Sequence, residues 1–348
     1  MGDRVRRPTV KDVARQAGVS ASTVSNVLHK HPYVTEDKRR RVEAAIEALG
    51  YAPSLVSRQL RAGRAQVLAL AVPDITSPYF AHLAHVVITE AHRRAITLFI
   101  DETGGSAEQE ATIARGYPSR GVTGVLFCPV AMDPAELERL KSDVPTVLLG
   151  EHVPGGSFDH IAIDSRRSAV EATEHLLALG RRRLAFAGAG LGRRAGPAYE
   201  RLEGVRDALR SAGLELADEL AFEVGGHSRE EGYRVARVLV ERAADFDALV
   251  CAADLLAVGA SAAFREAGVT VPGDVALLGW DDAPEVRFTA PPLTSIAHDM
   301  EGLAARGIDA ILARQDSPER PPEHTVVGHR LVVRESTRRE APAPAPHR

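Results

Sequence analysis

The densest run of short hydrogen-bonding side chains lies in "AGVSASTVSNVLHK", Ala17 to Lys30. Serine, threonine, valine and asparagine are mediocre helix formers, so their concentration needs a reason. On a helical wheel, Val24, Val27 and Leu28 form one apolar stripe. Ser22, Ser25, Asn26 and His29 recur at i, i+3, i+4, i+7 on another face. Short hydroxyl and amide groups let a helix lie close in the major groove, donate to phosphates and read base edges. The helix N-terminus adds free N–H groups and a positive dipole for phosphate. A solvated polar face would use the same residue types, so the decision rests on what surrounds this helix.

Two further helical patterns flank it. Val10, Val13, Ala14 and Ala17 share one face of a first helix, with Thr9 as its cap, Asp12 three residues on, and Gly18 as its stop. A third starts at Thr35 and carries Val42, Ala45, Ile46 and Leu49 before Gly50. The tight Gly-Val-Ser link between the first two makes a helix-turn-helix pattern. Residues 1–64 hold 13 Lys/Arg against 6 Asp/Glu, whereas the remainder holds 30 against 41. A basic head on an acidic body points to a polyanionic partner for the head. The helix-turn-helix spacing, the basic head and its N-terminal place together favour DNA contact over a decorated solvent face.

"YAPSLVSRQLRAGRA" follows, with Pro53 able to open and Gly63 to close a helix too short to be stable alone. From Val67, short apolar runs alternate with helical stretches: "VLALAV", "ITLFI", "GVLFC", "TVLLG", "HIAID", "RLAFAG", "ALVCAA" and "VALLGW". This alternation predicts parallel, doubly wound α/β sheets with ligand crevices at strand C-termini, in two similar lobes. The expected organisation is a headpiece over 1–52, a hinge helix or linker over 53–64, a two-lobed effector-binding and dimerisation body over 65–337, and a disordered Pro/Ala-rich tail over 338–348. Cys128 and Cys251 sit in apolar runs and read as buried reduced thiols without metal-ligand spacing. No apolar run is long enough to span a membrane, and the basic N-terminus has no apolar core behind it, so a cytoplasmic location is expected. "RLAFAGAGLGRRAG" presents Gly188, Gly190 and Gly192, but Arg193 stands where a dinucleotide fingerprint needs its third glycine. With no P-loop, G-x-S-x-G or H-E-x-x-H motif either, neither catalysis nor a metal or cofactor is expected.

"TVKDVARQAGVSASTVSNVLHKHPYVTEDKRRRVEAAIEALGYAPSLVSRQLRAG", Thr9 to Gly63, closely resembles the headpiece of the LacI/GalR family of bacterial transcription regulators. Looser similarity continues through "VPDITSPYFAHL", "RLEGV", "AADLLAVGA", "VPGDVALLGWDD" and "PPLTSI". The resemblance implies a periplasmic-binding-protein-like body that takes a small effector between two lobes. It implies that Thr9, Ser20, Thr23 and Ser25 hold the DNA backbone, with His29, Tyr33 and Thr35 at further backbone positions. Ala21, Ser22 and Asn26 match base-choosing positions, and Asn26 suits the N6/N7 edge of adenine. Leu60 matches a hinge leucine that wedges between base steps in the minor groove. Two hinges must pair for that, which implies a homodimer on a palindromic operator.

For the effector, the resemblance marks Phe80, Asp164, Arg201 and Asp281, with Glu151 and His227 as looser matches. A guanidinium can grip paired hydroxyls or a carboxylate, an Asp can accept from sugar hydroxyls, and Trp280 or Phe80 can stack on a sugar face or belong to the core. Ala253 stands where sugar-binding relatives often show Asn, and Arg167 replaces a usual glycine. The implied function is a repressor released by a sugar or sugar derivative. The alternatives are a corepressor-dependent regulator of the same family, or a cytoplasmic sugar-binding protein without regulation.

Overall fold

The computed structural model describes residues 10–28, 33–49, 66–115, 121–139, 142, 144–150, 157–190 and 196–338. The chain divides into two units, 1–65 and 66–348. The hinge expected at 53–64 and nearly all of the tail lie outside the described residues.

The first unit holds α1 (Val10–Ala17), α2 (Ala21–Leu28) and α3 (Glu36–Leu49). Its core is Val13, Ala14 and Ala17 of α1, Val24 and Val27 of α2, and Val42 and Ala45 of α3. These are the stripes that the periodicity predicts. Gly18, at φ +61°, ends α1 in a Schellman turn: Val19 N–H donates to Ala14 O (3.0 Å) and Gly18 N–H to Arg15 O (3.3 Å). Arg41 of α3 then donates from Nη2 to the Ala17 and Gly18 carbonyls, at 2.6 and 3.0 Å. The turn between α1 and α2 is thus fixed from both sides.

The second unit contains two six-stranded sheets. One runs β11-β5-β4-β3-β1-β2 and the other β12-β10-β9-β8-β6-β7. In the first sheet the strands are β1 (Val67–Val72), β2 (Thr97–Glu102), β3 (Gly124–Phe127), β4 (Thr146–Leu149), β5 (Asp159–Ile163) and β11 (His324–Val327). In the second they are β6 (Leu184–Gly190), β7 (Ala221–Val224), β8 (Ala248–Cys251), β9 (Ala276–Trp280), β10 (Thr294–His298) and β12 (His329–Val332). Every pair is parallel except β10 with β12, a departure from the all-parallel expectation. Gly328 alone joins β11 to β12, so the chain leaves one sheet and enters the other without a crossover helix.

The helices of this unit are α4 (Pro78–Arg93), α5 (Ala107–Ala114), α6 (Pro134–Arg139), α7 (Ser165–Ala178), α8 (Pro197–Ser211), α9 (Arg229–Glu241), α10 (Asp254–Glu266) and α11 (Met300–Asp316). Each lobe has its own core. Leu303, Ala304, Ile308 and Ile311 of α11 pack in the first lobe, whereas α7 to α10 serve the second.

The chain therefore passes between lobes three times, after β5, after β10 and after β11. The first two passages are built alike. "IAID" (161–164) and "IAHD" (296–299) each end in an Asp that caps a helix of the opposite lobe. Asp164 (φ −78°, ψ 81°) accepts from Arg167 N–H at 2.9 Å, and Asp299 (φ −75°, ψ 77°) from Gly302 N–H at 2.8 Å. Asp299 N–H also donates to Gly328 O at 3.0 Å, tying the second passage to the third.

At the other end of the first lobe, the buried Asp159 carboxylate accepts from Arg314 Nε (2.8 Å) and Nη2 (3.0 Å), Arg320 Nη2 (2.8 Å) and Glu323 N–H (2.8 Å). Burial works to raise the Asp159 pKa, but the guanidinium groups and the amide outweigh it and hold the acid below its ordinary value. A depressed folded-state pKa contributes stability in full above the unfolded value, near 4, and loses it as pH falls through the lower folded-state value. Asp159→Asn should therefore cost about 3–5 kcal/mol at pH 7. Urea melts of wild type and variant should draw progressively closer as pH is lowered below about 4, towards the folded-state value.

Candidate functional site

Two sites arise, one in each unit. In the first, burial of Val24 and Val27 turns the opposite face of α2 outward, so Ala21, Ser22 and Asn26 are exposed, and Thr23 and Ser25 are half-buried. Ser20 caps the helix by accepting from Thr23 N–H at 3.1 Å. Its hydroxyl also bonds Ser22 Oγ (2.7 Å) and Thr23 Oγ1 (2.9 Å), which gathers three hydroxyls at the exposed N-terminus of α2. Tyr33 is 89% exposed, and Thr35 is exposed just before α3. The structure thus brings Ser20 to Asn26 onto one surface with Tyr33 and Thr35 in the following segment. Thr9, His29 and Leu60 lie outside the described residues.

The second site is a cavity of about 640 Å³ between the two lobes of the body. It lies at the carboxyl ends of the strands, as the doubly wound pattern predicts. The first lobe contributes Tyr79 and Phe80, in edge-to-face contact at 4.9 Å, and the segment Cys128 to Ala131. The second contributes Tyr199, Arg201, His227 and Asp281.

Arg201, only 7% exposed, is not a free arm. Its Nε donates to Ser165 Oγ (3.1 Å), Nη1 donates to Ala252 O, and the guanidinium lies 5.2 Å above the Trp280 ring. A planar donor held this way presents its remaining edge with little entropy left to lose. Trp280 itself is fully buried beneath Arg201. Asp164 is engaged as the cap of α7 and is not among the cavity-lining residues. The structure thus places Asp164 at a helix N-terminus, away from the cavity-lining residues, and Trp280 in the core, one of the two roles open to it. Phe80, Arg201, His227 and Asp281 are on the wall as expected, and Glu151 lies outside the described residues.

Asp281 and Asp282 follow β9 with φ +107° and +51°, conformations that non-glycine residues adopt at a cost of about 1–3 kcal/mol each. Three residues absent from the sequence reading hold this turn. Asp254 accepts from Ala283 N–H (2.8 Å) and Ser295 Oγ–H (2.7 Å), Ser295 Oγ accepts from Asp282 N–H (3.0 Å), and Arg334 donates to Asp282 (2.6 Å). Burial, and then the Asp281 charge, push the Asp254 pKa well above the usual carboxylate range. Gly279 is required here, because a Cβ would stand 2.3 Å from Asp254 Oδ1. Gly188, part of the glycine-rich run weighed as a dinucleotide motif, is explained by packing: a Cβ there would meet Ala252 Cβ at 2.2 Å.

The facing wall has its own hidden support. Glu110 of α5 is fully buried, and its carboxylate accepts from the backbone N–H groups of Val130 (2.9 Å), Ala131 (3.0 Å) and Met132 (2.8 Å). Burial, and the Glu110 charge, push the nearby Cys128 thiol up to about 12. Both cysteines are free and buried, as expected.

Both units match known families. Residues 9–54 match the family model "Bacterial regulatory proteins, lacI family", and 173–337 match "Periplasmic binding protein-like domain". The chain is 30% identical to the HTH-type transcriptional repressor PurR of Mannheimia succiniciproducens, over 96% of this chain and 99% of that one. It is 33% identical to the ribose operon repressor of Escherichia coli strain K12, over 89% and 94%. Among solved structures, a transcriptional regulator CelR–cellobiose complex superposes with a TM-score of 0.69, with 29% identity over 95% of this chain and 100% of that one.

Removing the Glu110 carboxylate should cost more than an ordinary surface change. Glu110→Ala removes the acceptor that Glu110 supplies to the Val130, Ala131 and Met132 N–H groups, a loss of about 3 kcal/mol or more. Glu110→Gln keeps one acceptor oxygen and should lose less. Urea denaturation of the three proteins in parallel checks the order.

Proposed function

Because this chain belongs to the lacI family of bacterial regulatory proteins, DNA-binding transcriptional regulators, we propose that it is a repressor whose hold on a palindromic operator is released by a carbohydrate in the interlobe cavity. The observation that carries the DNA-binding half is the two-sided nature of α2. Val24 and Val27 are locked into a three-helix core, and Ala21, Ser22 and Asn26 face outward above a cluster of three hydroxyls. Asn26 reads a base edge, and Ser20, Thr23 and Ser25 hold phosphates. Two copies of the chain supply two such helices to two half-sites. Leu60, on the segment joining the units, wedges the operator centre in this reading.

The carbohydrate half is supported by a fixed guanidinium, a carboxylate and an aromatic pair around one cavity. Hydroxyls satisfy the charged groups, and the apolar face of a sugar ring rests on Tyr79 or Phe80. The CelR structure holds cellobiose, and the Escherichia coli relative is a ribose operon repressor. A regulatory protein rather than an enzyme or a stand-alone binder fits the presence of both units. Whatever free energy the ligand takes from operator binding, the operator must take equally from ligand binding.

Selection from random duplex DNA by the full chain, near physiological salt, should return one palindrome. On that site Asn26→Ala should weaken binding by about 1–3 kcal/mol, with relaxed preference at one symmetric base pair. Equal weakening on every sequence would make Asn26 a backbone contact instead. A palindrome whose binding is unmoved by sugars but tightened by another small molecule would reverse the sign of control.

A further inference from the structure

The chain that comes from the headpiece joins the body at residue 66, at the amino ends of the first-lobe strands. Three half-buried side chains meet there. Gln66 precedes β1, Thr123 precedes β3, and Gln315 is the penultimate residue of α11. Gln66 Nε2–H donates to Gln315 Oε1 (2.7 Å), Gln315 Nε2–H donates to Thr123 O (2.7 Å), and Thr123 Oγ1–H donates to Gln66 Oε1 (3.1 Å). The three residues close a ring in which each amide both donates and accepts, so turning either amide over would set like groups against each other. Thr123 Oγ1 also accepts from Val67 N–H (3.1 Å), and Gln66 O accepts from Thr97 N–H of β2 (3.0 Å).

The ring stands on a firm base. α11 lies against β3 through two glycines: a Cβ on Gly124 would run into Ile311 Cγ2, and one on Gly307 would stand 2.9 Å from Leu126 Cδ2. Beside Gln315, Arg314 is held in the Asp159 cluster. The last turn of α11 is thus fixed to the sheet, and the ring extends that fixation to residue 66. The first sheet does not need it, because β1 is already paired on both sides, with β2 and with β3. The cavity does not need it either, because it lies at the carboxyl ends of the strands and no member of the ring lines it. What the ring fixes is the point at which the chain from the headpiece enters the body.

We propose that Gln66, Thr123 and Gln315 are positioning residues for operator binding. By anchoring residue 66 they set how readily the second headpiece of a pair reaches its half-site once the first is bound. This rests on the reading above of two copies on one palindrome. The second binding event is then intramolecular, governed by an effective concentration that is highest when the connecting chain matches the distance between the half-sites. Releasing the anchor spreads each headpiece over a larger volume and lowers that concentration. The fit of a single headpiece to its own half-site is untouched, because no member of the ring belongs to the headpiece. The signature is therefore a loss confined to the full palindrome, with a weaker preference for one spacing of its halves.

The experiment measures binding of the full chain, at one salt concentration, to three kinds of duplex. These are the palindrome returned by selection, the same palindrome with one base pair added or removed at its centre, and a duplex carrying one half-site. Gln315→Met keeps the side-chain length and drops both bonds, Thr123→Ser keeps the hydroxyl, and Arg320→Ala loosens the neighbouring Asp159 cluster without touching the ring. Gln315→Met should bind the palindrome about tenfold more weakly, bind the half-site within about twofold of wild type, and discriminate less between spacings. Thr123→Ser should match wild type. Arg320→Ala should melt at a lower temperature yet keep the wild-type ratio of palindrome to half-site affinity. Light scattering should give Gln315→Met the mass of wild type; dissociation would account for the loss and overturn the proposal. A wild-type ratio and spacing preference in Gln315→Met, equal losses on half-site and palindrome, or the same change in Arg320→Ala also overturns it and leaves the two-copy reading standing. A wild type that gains nothing from the second half-site removes that reading, and the proposal with it.

Discussion

One chain crossing three times between two sheets is the constraint on which the body depends. A single passage would leave the lobes joined at one point, whereas three passages hold them together at several points of the chain. The passages are tied to each other by the Asp299 N–H bond to Gly328 O and by the β10–β12 pairing. They are tied to the lobes by Asp164 and Asp299, each of which ends a strand of one lobe and caps a helix of the other. The hinge is therefore made of ordinary parts, two capped helices and one glycine link, placed at the root of the cavity.

The cavity groups that could meet a ligand are held by groups that could not. Arg201 is aimed by Ser165, Ala252 and Trp280; the Asp281 turn is held by Asp254, Ser295 and Arg334; the segment from Val130 to Met132 is held by Glu110. Burying Asp254 and Glu110 costs desolvation that only full hydrogen bonding offsets, and both are satisfied. The headpiece follows the same rule on a smaller scale. Arg41 fixes the turn from which α2 leaves α1 by donating to the Ala17 and Gly18 carbonyls.

What the sequence disclosed depended on how local the causes were. The three headpiece helices were legible because their apolar periods and Gly18 act within a few residues. Eight strands were legible because each carries a continuous apolar run, the mark of a buried parallel strand, which edge strand β2 shows although Phe99 and Ile100 are exposed. β7, β10, β11 and β12 were not: "AFEV", "TSIAH", "HTVV" and "HRLV" are short and mix polar with apolar residues. In β10 the polar residues Thr294 and Ser295 are fully buried, satisfied by Arg334, Ser336 and Asp254 from distant sequence. The resemblance reached Arg201 and Asp281 but also marked Asp164, whose local helix start consumes it. Trp280 takes the core role of the two open to it, since an aromatic next to a cavity-lining Asp need not share its side of the strand. Glu110 gave no signal at all, because nothing near it in the chain says that it will be buried.

The connection between cavity and DNA can be argued from α11. This helix starts at Met300, directly after the second passage, and runs 17 residues through the core of the first lobe, a rise of about 25 Å. Near its far end Gln315 accepts from Gln66 Nε2 (2.7 Å) and donates to Thr123 O (2.7 Å), while Thr123 Oγ1 bonds Gln66 Oε1 (3.1 Å). Gln66 is the first described residue after the segment that leads from the headpiece. The first lobe is thus clamped to the incoming chain at one end of α11 and hinged to the second lobe at the other. A ligand that binds two lobe arrangements equally shifts nothing, however tight it is. The discriminating contacts must therefore span the lobes, with Arg201 and Asp281 on one side and Tyr79 and Phe80 on the other. Only a molecule that touches both sides can favour one lobe angle and carry that preference along α11 to residue 66.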